Sequence, residues 1–179
     1  MAAFTRKAAI ELILSKRSAN DPKRSLRGLA AMSELTLVWS LDETMNVFFY
    51  GLFMDENLLV KKGIAAKHAV VGYVDGFRLR IGERATLQRS AGARTYGVMM
   101  EVSANEVREL YAESSVSDYV PESVTVELIN GNITEATCYN LPSNKVTGTN
   151  KRYAEALLEL ANQLGLPETY LGQIRQAGS

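Results

Sequence analysis

Ser123-Val124-Thr125-Val126-Glu127-Leu128-Ile129-Asn130-Gly131-Asn132-Ile133-Thr134-Glu135-Ala136-Thr137-Cys138-Tyr139-Asn140 is the stretch on which the fold turns. Val124, Val126 and Leu128 alternate with Thr125 and Glu127, the period-two pattern of a strand with one face buried. Asn130-Gly131 predicts a type I′ hairpin, because that turn needs positive φ at both central residues. Ile133 to Asn140 is then the returning partner. Two antiparallel strands joined this tightly argue for hairpin connections and against βαβ crossovers.

The residues upstream extend the same reading. Val47-Phe48-Phe49-Tyr50 is a β-branched and aromatic run that stops at Gly51, a short buried strand. Asp55 caps a short helix through Val60, with Gly63 as its stop. His68 to Ile81 reads as strands broken by a bulge or bend at Gly72 and Gly76. The polar stretch Gly82 to Gly92 reads as a loop, followed by a strand from Thr95 to Val102. Ser103 and Glu106 form a capping box that opens a helix ending near Ala112.

Downstream, Pro142 and Gly148 mark a loop before a helix of about 15 residues, capped by Thr149 or Asn150 and ended by Gly165. Pro167 sits near the first turn of a last helix that carries Tyr170 and Ile174. Strands outnumber helices, so the predicted class is α+β with a small, mostly antiparallel sheet that closes into a barrel. No Gly-rich dinucleotide fingerprint and no Walker A loop occurs.

The 179 residues are 46% hydrophobic and 22% charged, an ordinary globular balance. No apolar run approaches the roughly 18 to 20 residues that cross a bilayer. Basic and acidic residues number 20 each, so no global attraction to nucleic acid follows. Their distribution is uneven. Residues 1–31 hold Arg6, Lys7, Lys16, Arg17, Lys23, Arg24 and Arg27 against Glu11 and Asp21, a charge of +5, leaving −5 for the rest. Residues 1–44 are therefore set apart as a basic extension, and residues 45–179 as the functional domain. The extension reads as a dispensable segment, a surface helix or a targeting peptide, with Met32 and Met45 as alternative starts.

A single cysteine, Cys138, excludes an internal disulfide framework, and a single histidine, His68, leaves an imidazole-rich metal site without ligands. Carboxylates, hydroxyls and backbone amides remain as tools. Tyr50-Gly51-Leu52-Phe53-Met54-Asp55 turns a buried strand into a helix start, where first-turn amides lack partners and attract anions. Glu113, just past the capping-box helix, is the second candidate, with Asp118, Tyr119 and Glu122 nearby.

Taken in order, several of these pieces resemble the γ-glutamylcyclotransferase-like (AIG2-like) family over about residues 45 to 177. They are Phe49-Tyr50-Gly51-Leu52, Gly82-Glu83-Arg84-Ala85-Thr86-Leu87, Tyr96-Gly97-Val98-Met99-Met100-Glu101-Val102, the segment Glu113 to Tyr119, the Asn130-Gly131 hairpin and the tail from Asn150 to Tyr170. The resemblance implies a small mixed β-barrel flanked by helices, which releases 5-oxoproline from a γ-glutamyl amine or amino acid. The substrate's own α-amine is the nucleophile in such members, so no cofactor and no metal is implied. The expected partner is a small-molecule γ-glutamyl substrate, with no nucleic acid and no membrane, in a cytoplasmic setting. Carried over by residue, Tyr50, Gly51, Leu52 and Phe53 with Tyr119 bind substrate, and Glu113 is general base, then acid. Two departures stand out. Leu52 occupies the place of the family's usual Ser. Leu110-Tyr111-Ala112-Glu113-Ser114 is one residue short of the family's Leu-Asp-x-x-Glu-Gly and lacks its Asp and Gly. A catalytically silent binding domain on the same fold is the alternative.

Overall fold

The structure, a computed structural model, describes residues 43–178. The expected basic extension, residues 1–44, lies outside them except for its last two positions. β1 (Thr44–Phe49) begins close to the expected domain start, and a 3-10 turn at Leu52–Met54 follows it. Next come α1 (Glu56–Lys61), β2 (Lys67–Ile81), β3 (Ala85–Ser103), α2 (Ala104–Ala112), β4 (Val120–Leu128) and β5 (Ile133–Asn140). A second 3-10 turn at Ser143–Lys145 leads into α3 (Lys151–Gln163) and α4 (Glu168–Ala177).

The five strands close in the order β1-β3-β2-β4-β5. Four junctions are antiparallel, and β1 meets β5 in parallel at Val47 and Thr137. This is the α+β mixed barrel expected from the sequence. Closure pairs the strand edges that an open sheet leaves exposed. Val47, Phe48, Met100, Val102, Val126 and Cys138 fill the interior, each no more than 1% exposed. Leu157 and Ala161 of α3 and Tyr170 and Ile174 of α4 are also fully buried in this core. Among the described residues no helix is long and apolar enough to cross a membrane.

Local chemistry explains most boundaries. The Asp55 side chain accepts from the Asn57 amide at 2.9 Å and starts α1. Ser103 and Glu106 make the expected capping box, and Glu106 also accepts from the Ala65 amide at 3.0 Å, tying α2 to the end of α1. Asn150 is the cap of α3, accepting from the Tyr153 amide at 2.9 Å. Pro167 stands at the cap of α4, next to its first turn as expected.

Three expectations are corrected. Residues 82–92 are not a loop: all but Gly82, Glu83 and Arg84 belong to β3, which pairs with β2 from Ile81↔Ala85 inward. The polarity misled because the ribbon has one solvated face, where Arg89 lies over the Phe77 ring at 5.0 Å. The ladder is interrupted at Gly76 as expected, with φ +79°, opposite Ser90 to Ala93, and again between Lys67 and Val70. Gly72 does not break its strand; an added Cβ there would lie 2.9 Å from Glu127 O, so it permits the approach of β4. Finally, the β4–β5 turn is not type I′. Only Gly131 has positive φ, at +85°, and its amide donates to Leu128 O at 2.9 Å. That is a three-residue loop whose last residue takes the left-handed conformation.

Candidate functional site

β1 delivers Phe48, Phe49 and Tyr50 to one end of the barrel, and the chain then turns at Gly51. Gly51 has φ −109°, so any residue would suit the backbone; space is the constraint. An added Cβ would stand 2.5 Å from the Tyr153 hydroxyl. The segment between α2 and β4 brings Ser115, Val116 and Tyr119, α2 brings Tyr111, β5 brings Tyr139 and α3 brings Tyr153. Together they enclose a cavity of about 290 Å³. That is near the lower limit for small-molecule sites, a size for an amino-acid-like ligand.

Its walls are rigid aromatic surfaces. Tyr111 stacks on Tyr139 with centroids 3.8 Å apart and planes 11° from parallel, and Phe53 meets Tyr111 edge-on at 6.3 Å. Tyr50 donates its hydroxyl to Tyr139 O at 2.5 Å, and Tyr119 donates to Ala85 O at 2.5 Å. Burial pushes the Tyr50, Tyr111 and Tyr119 hydroxyls well above the ordinary phenol range, with neighbouring tyrosines adding to the shift at Tyr50 and Tyr111. Burial also raises Tyr153, opposed by the Leu52 and Ala85 amides and by the Arg84 charge. These groups are neutral hydrogen-bonding hydroxyls at physiological pH. The Tyr153 oxygen accepts from the Leu52 amide at 3.3 Å. Its own proton has no acceptor among the described residues.

Lys62, Glu83 and Arg84 are the charged residues on the wall. Lys62 Nζ contacts Glu113 Oε1 at 2.8 Å and Oε2 at 2.6 Å, and lies 5.9 Å from the Phe53 centroid. Glu83 and Arg84 occupy the tight turn between β2 and β3. The Glu83 amide donates to Thr147 O at 2.8 Å, and Asn150 Nδ2 donates to Glu83 O at 3.1 Å. The turn is thereby held on both sides of its tip.

Tyr50, Gly51, Leu52, Phe53 and Tyr119, named from the sequence, all line this cavity. Glu113 does not. It caps the end of α2, its side chain is 40% exposed, and it reaches the wall through Lys62. The sequence reading missed Lys62, Arg84, Tyr111, Tyr139 and Tyr153 as site residues, and it placed Glu83 in a loop. A three-residue turn between the apolar ends Ile81 and Ala85 was the available signal for the Glu83-Arg84 pair. His68 stands apart on the surface, 74% exposed and 3.1 Å from Glu101. Cys138 is fully buried, and desolvation pushes its thiol up to about 12.

Residues 94–174 match the AIG2-like family. The resemblance read from the sequence is therefore borne out, and the matched segment includes Glu113, Tyr119, Tyr139 and Tyr153 from around the site. Among solved structures, one titled gamma-glutamyl cyclotransferase is similar at 19% identity and TM-score 0.59, covering 74% of this chain and 87% of that one. An uncharacterized protein from Homo sapiens has TM-score 0.62 at 19% identity, with the same coverages of 74% and 87%. YkqA from Bacillus subtilis has TM-score 0.62 at 19% identity, covering 82% of this chain and 58% of its own. At these identities the likeness establishes the AIG2-like, γ-glutamyl cyclotransferase fold. No curated protein matches the sequence.

Proposed function

We propose that the chain is a γ-glutamylcyclotransferase-like enzyme that releases 5-oxoproline from a small γ-glutamyl amine or amino acid. The observation that carries this reading is the cavity itself. Tyr50 to Phe53 and Tyr119, distant in sequence, meet in a single aromatic hollow, with Lys62 on its wall and Glu113 behind it, in contact with Lys62 Nζ. The backbone from Tyr50 to Leu52 holds the substrate's α-carboxylate, and the Tyr153 hydroxyl adds a donor. Folding the glutamyl chain against flat aromatic walls brings amine and γ-carbonyl together, which removes much of the entropic barrier to ring closure.

Glu113 is the proton carrier. The substrate's α-ammonium displaces Lys62 Nζ from the carboxylate, gives up a proton and attacks the γ-carbonyl carbon. A ring C–N bond forms and the amide C–N bond breaks. The two protons lost by the attacking nitrogen pass through Glu113 to the departing nitrogen, which leaves as an ammonium. General acid–base catalysis of this kind is worth about 10²–10⁴-fold. The Glu113→Gln variant is therefore expected to lose about that factor in kcat for 5-oxoproline release while keeping its Tm. Unchanged turnover would remove Glu113 from the mechanism, and loss in Glu83→Gln instead would move the role to Glu83.

A second reading, a silent binding domain, is favoured by one observation: Glu113 is engaged by Lys62 and stands outside the lining. It predicts that γ-glutamyl compounds raise the Tm of the chain without any product, even at high protein concentration.

A further inference from the structure

A smaller hollow of about 150 Å³ adjoins the cavity, and both share Glu83, Arg84, Ser115 and Tyr119 as walls. Its other walls join Ser114, Thr147 and an ion pair between Lys145 and Asp118 to Gly82, Leu141 and Val146. Arg84 thus stands at the junction, half-buried, with one compartment aromatic and the other richer in polar groups. Among the described residues its guanidinium has no ion-pair or hydrogen-bond partner. Lys62 and Lys145, the other cations on these walls, are both engaged by carboxylates. Arg84 shares the cavity wall with Tyr119 and Tyr153, and its charge favours their ionised forms.

A planar guanidinium offers a fork of donors matched to a carboxylate, and it stays charged at any physiological pH. Partial burial without a partner is unfavourable for such a group, and a ligand anion relieves it. We infer that Arg84 binds a carboxylate on the departing half of the substrate, so that this half is an amino acid seated in the polar compartment rather than a neutral amine. The inference rests on the function proposed above, in which the α-carboxylate of the glutamyl half is already held by Tyr50 to Leu52. A second carboxylate therefore needs a second reader. Arg84 supplies it at the place where the two hollows meet, and Ser114, Ser115 and Thr147 supply hydroxyls around the rest of that group.

The test compares γ-glutamylalanine with γ-glutamylethylamide, which differ only by the carboxylate of the departing half. Binding is measured by calorimetry and turnover by 5-oxoproline release, with the full chain. The expected result is at least tenfold tighter binding and higher kcat/KM for γ-glutamylalanine. That preference should disappear in Arg84→Gln, through loss on the dipeptide alone, and be partly kept in Arg84→Lys. Equal handling of the two compounds by the unaltered chain overturns the inference while leaving the cyclotransferase reading standing. Selective binding without turnover does the reverse. Failure to bind either compound overturns both.

Discussion

The β4–β5 and β2–β3 hairpin turns teach opposite lessons. The β4–β5 turn carries the strongest turn signal in the sequence, Asn130-Gly131, and its exposed tip presents Ile129 and Ile133, each 69% exposed, beside Asn130 and Asn132. The β2–β3 turn, Gly82-Glu83-Arg84, carries no comparable signal, yet it places both an acid and a base on the cavity wall. The difference is physical. A turn motif reports which backbone dihedrals are cheap, whereas a functional turn is defined by what packs against it. Here the 142–150 segment supplies that packing, through Thr147 O and the Asn150 side chain.

The sharpest way to break this comparison is to add one methyl group to each turn. At Gly82 a Cβ would lie 2.5 Å from Thr147 O, a backbone atom that cannot swing away. Gly82→Ala therefore has to displace the segment that braces the site. Overpacking of this sort costs on the order of 1–3 kcal/mol, and ligand binding should weaken with it. At Gly131 a Cβ meets open space, and the cost is confined to the φ of +85°. Gly131→Ala should lose about 1 kcal/mol, with ligand binding untouched. Chemical denaturation and calorimetry on the two variants decide the matter. Equal binding by both would show that the β2–β3 turn is not part of the site.

Much of the barrel was legible in the sequence because its causes are local. Alternation at Val124, Val126 and Leu128, the capping box at Ser103 and Glu106 and the Asp55 cap each lie within a few residues, and each appears in the structure. The ribbon from Ala85 to Ala93 was misread because its strand character comes from pairing with β2, a partner that the pattern of β3 alone does not disclose. The site divides along the same line. Tyr50 to Phe53 and Tyr119, which line the candidate cavity, were named through resemblance to a family. Arg84 and Tyr153 were not, because their places on the cavity wall depend on parts of the chain 30 or more positions away, as in the contact of Tyr153 with Leu52. Glu113 was legible as a residue, but its engagement by Lys62 was not.

Alkaline titration probes the tyrosines of the cavity wall. The site end is roofed by Tyr50, Tyr111, Tyr119 and Tyr153, all raised above the usual phenol value of about 10. A raised native pKa means that the folded chain binds more protons than the unfolded chain above that value. The stabilisation is fully present below about pH 10 and is lost as pH rises through the native pKa. The Tm should therefore fall as pH climbs past about 10. Tyr153→Phe, which removes one such group, should show a shallower fall. An identical pH slope in the variant would mean that Tyr153 ionises as freely as an exposed phenol.

The smallest effect is expected at the tip of β4–β5. Ile129 and Ile133 are largely exposed, so exchanging either for Thr removes little packing and keeps the β-branched shape that strands accept. Surface substitutions of this kind usually fall within about 0.5 kcal/mol. Gly131 carries the turn geometry, and the backbone bond from Leu128 N to Asn132 O at 2.8 Å is indifferent to the side chains beside it. Ile129→Thr and Ile133→Thr should thus leave both Tm and γ-glutamyl binding unchanged within error. A loss of several degrees in Tm, or a concentration-dependent Tm in the unaltered chain that vanishes in the variants, would show that this tip is covered in solution. The contrast between an occupied turn and an idle one would then fail at its idle end.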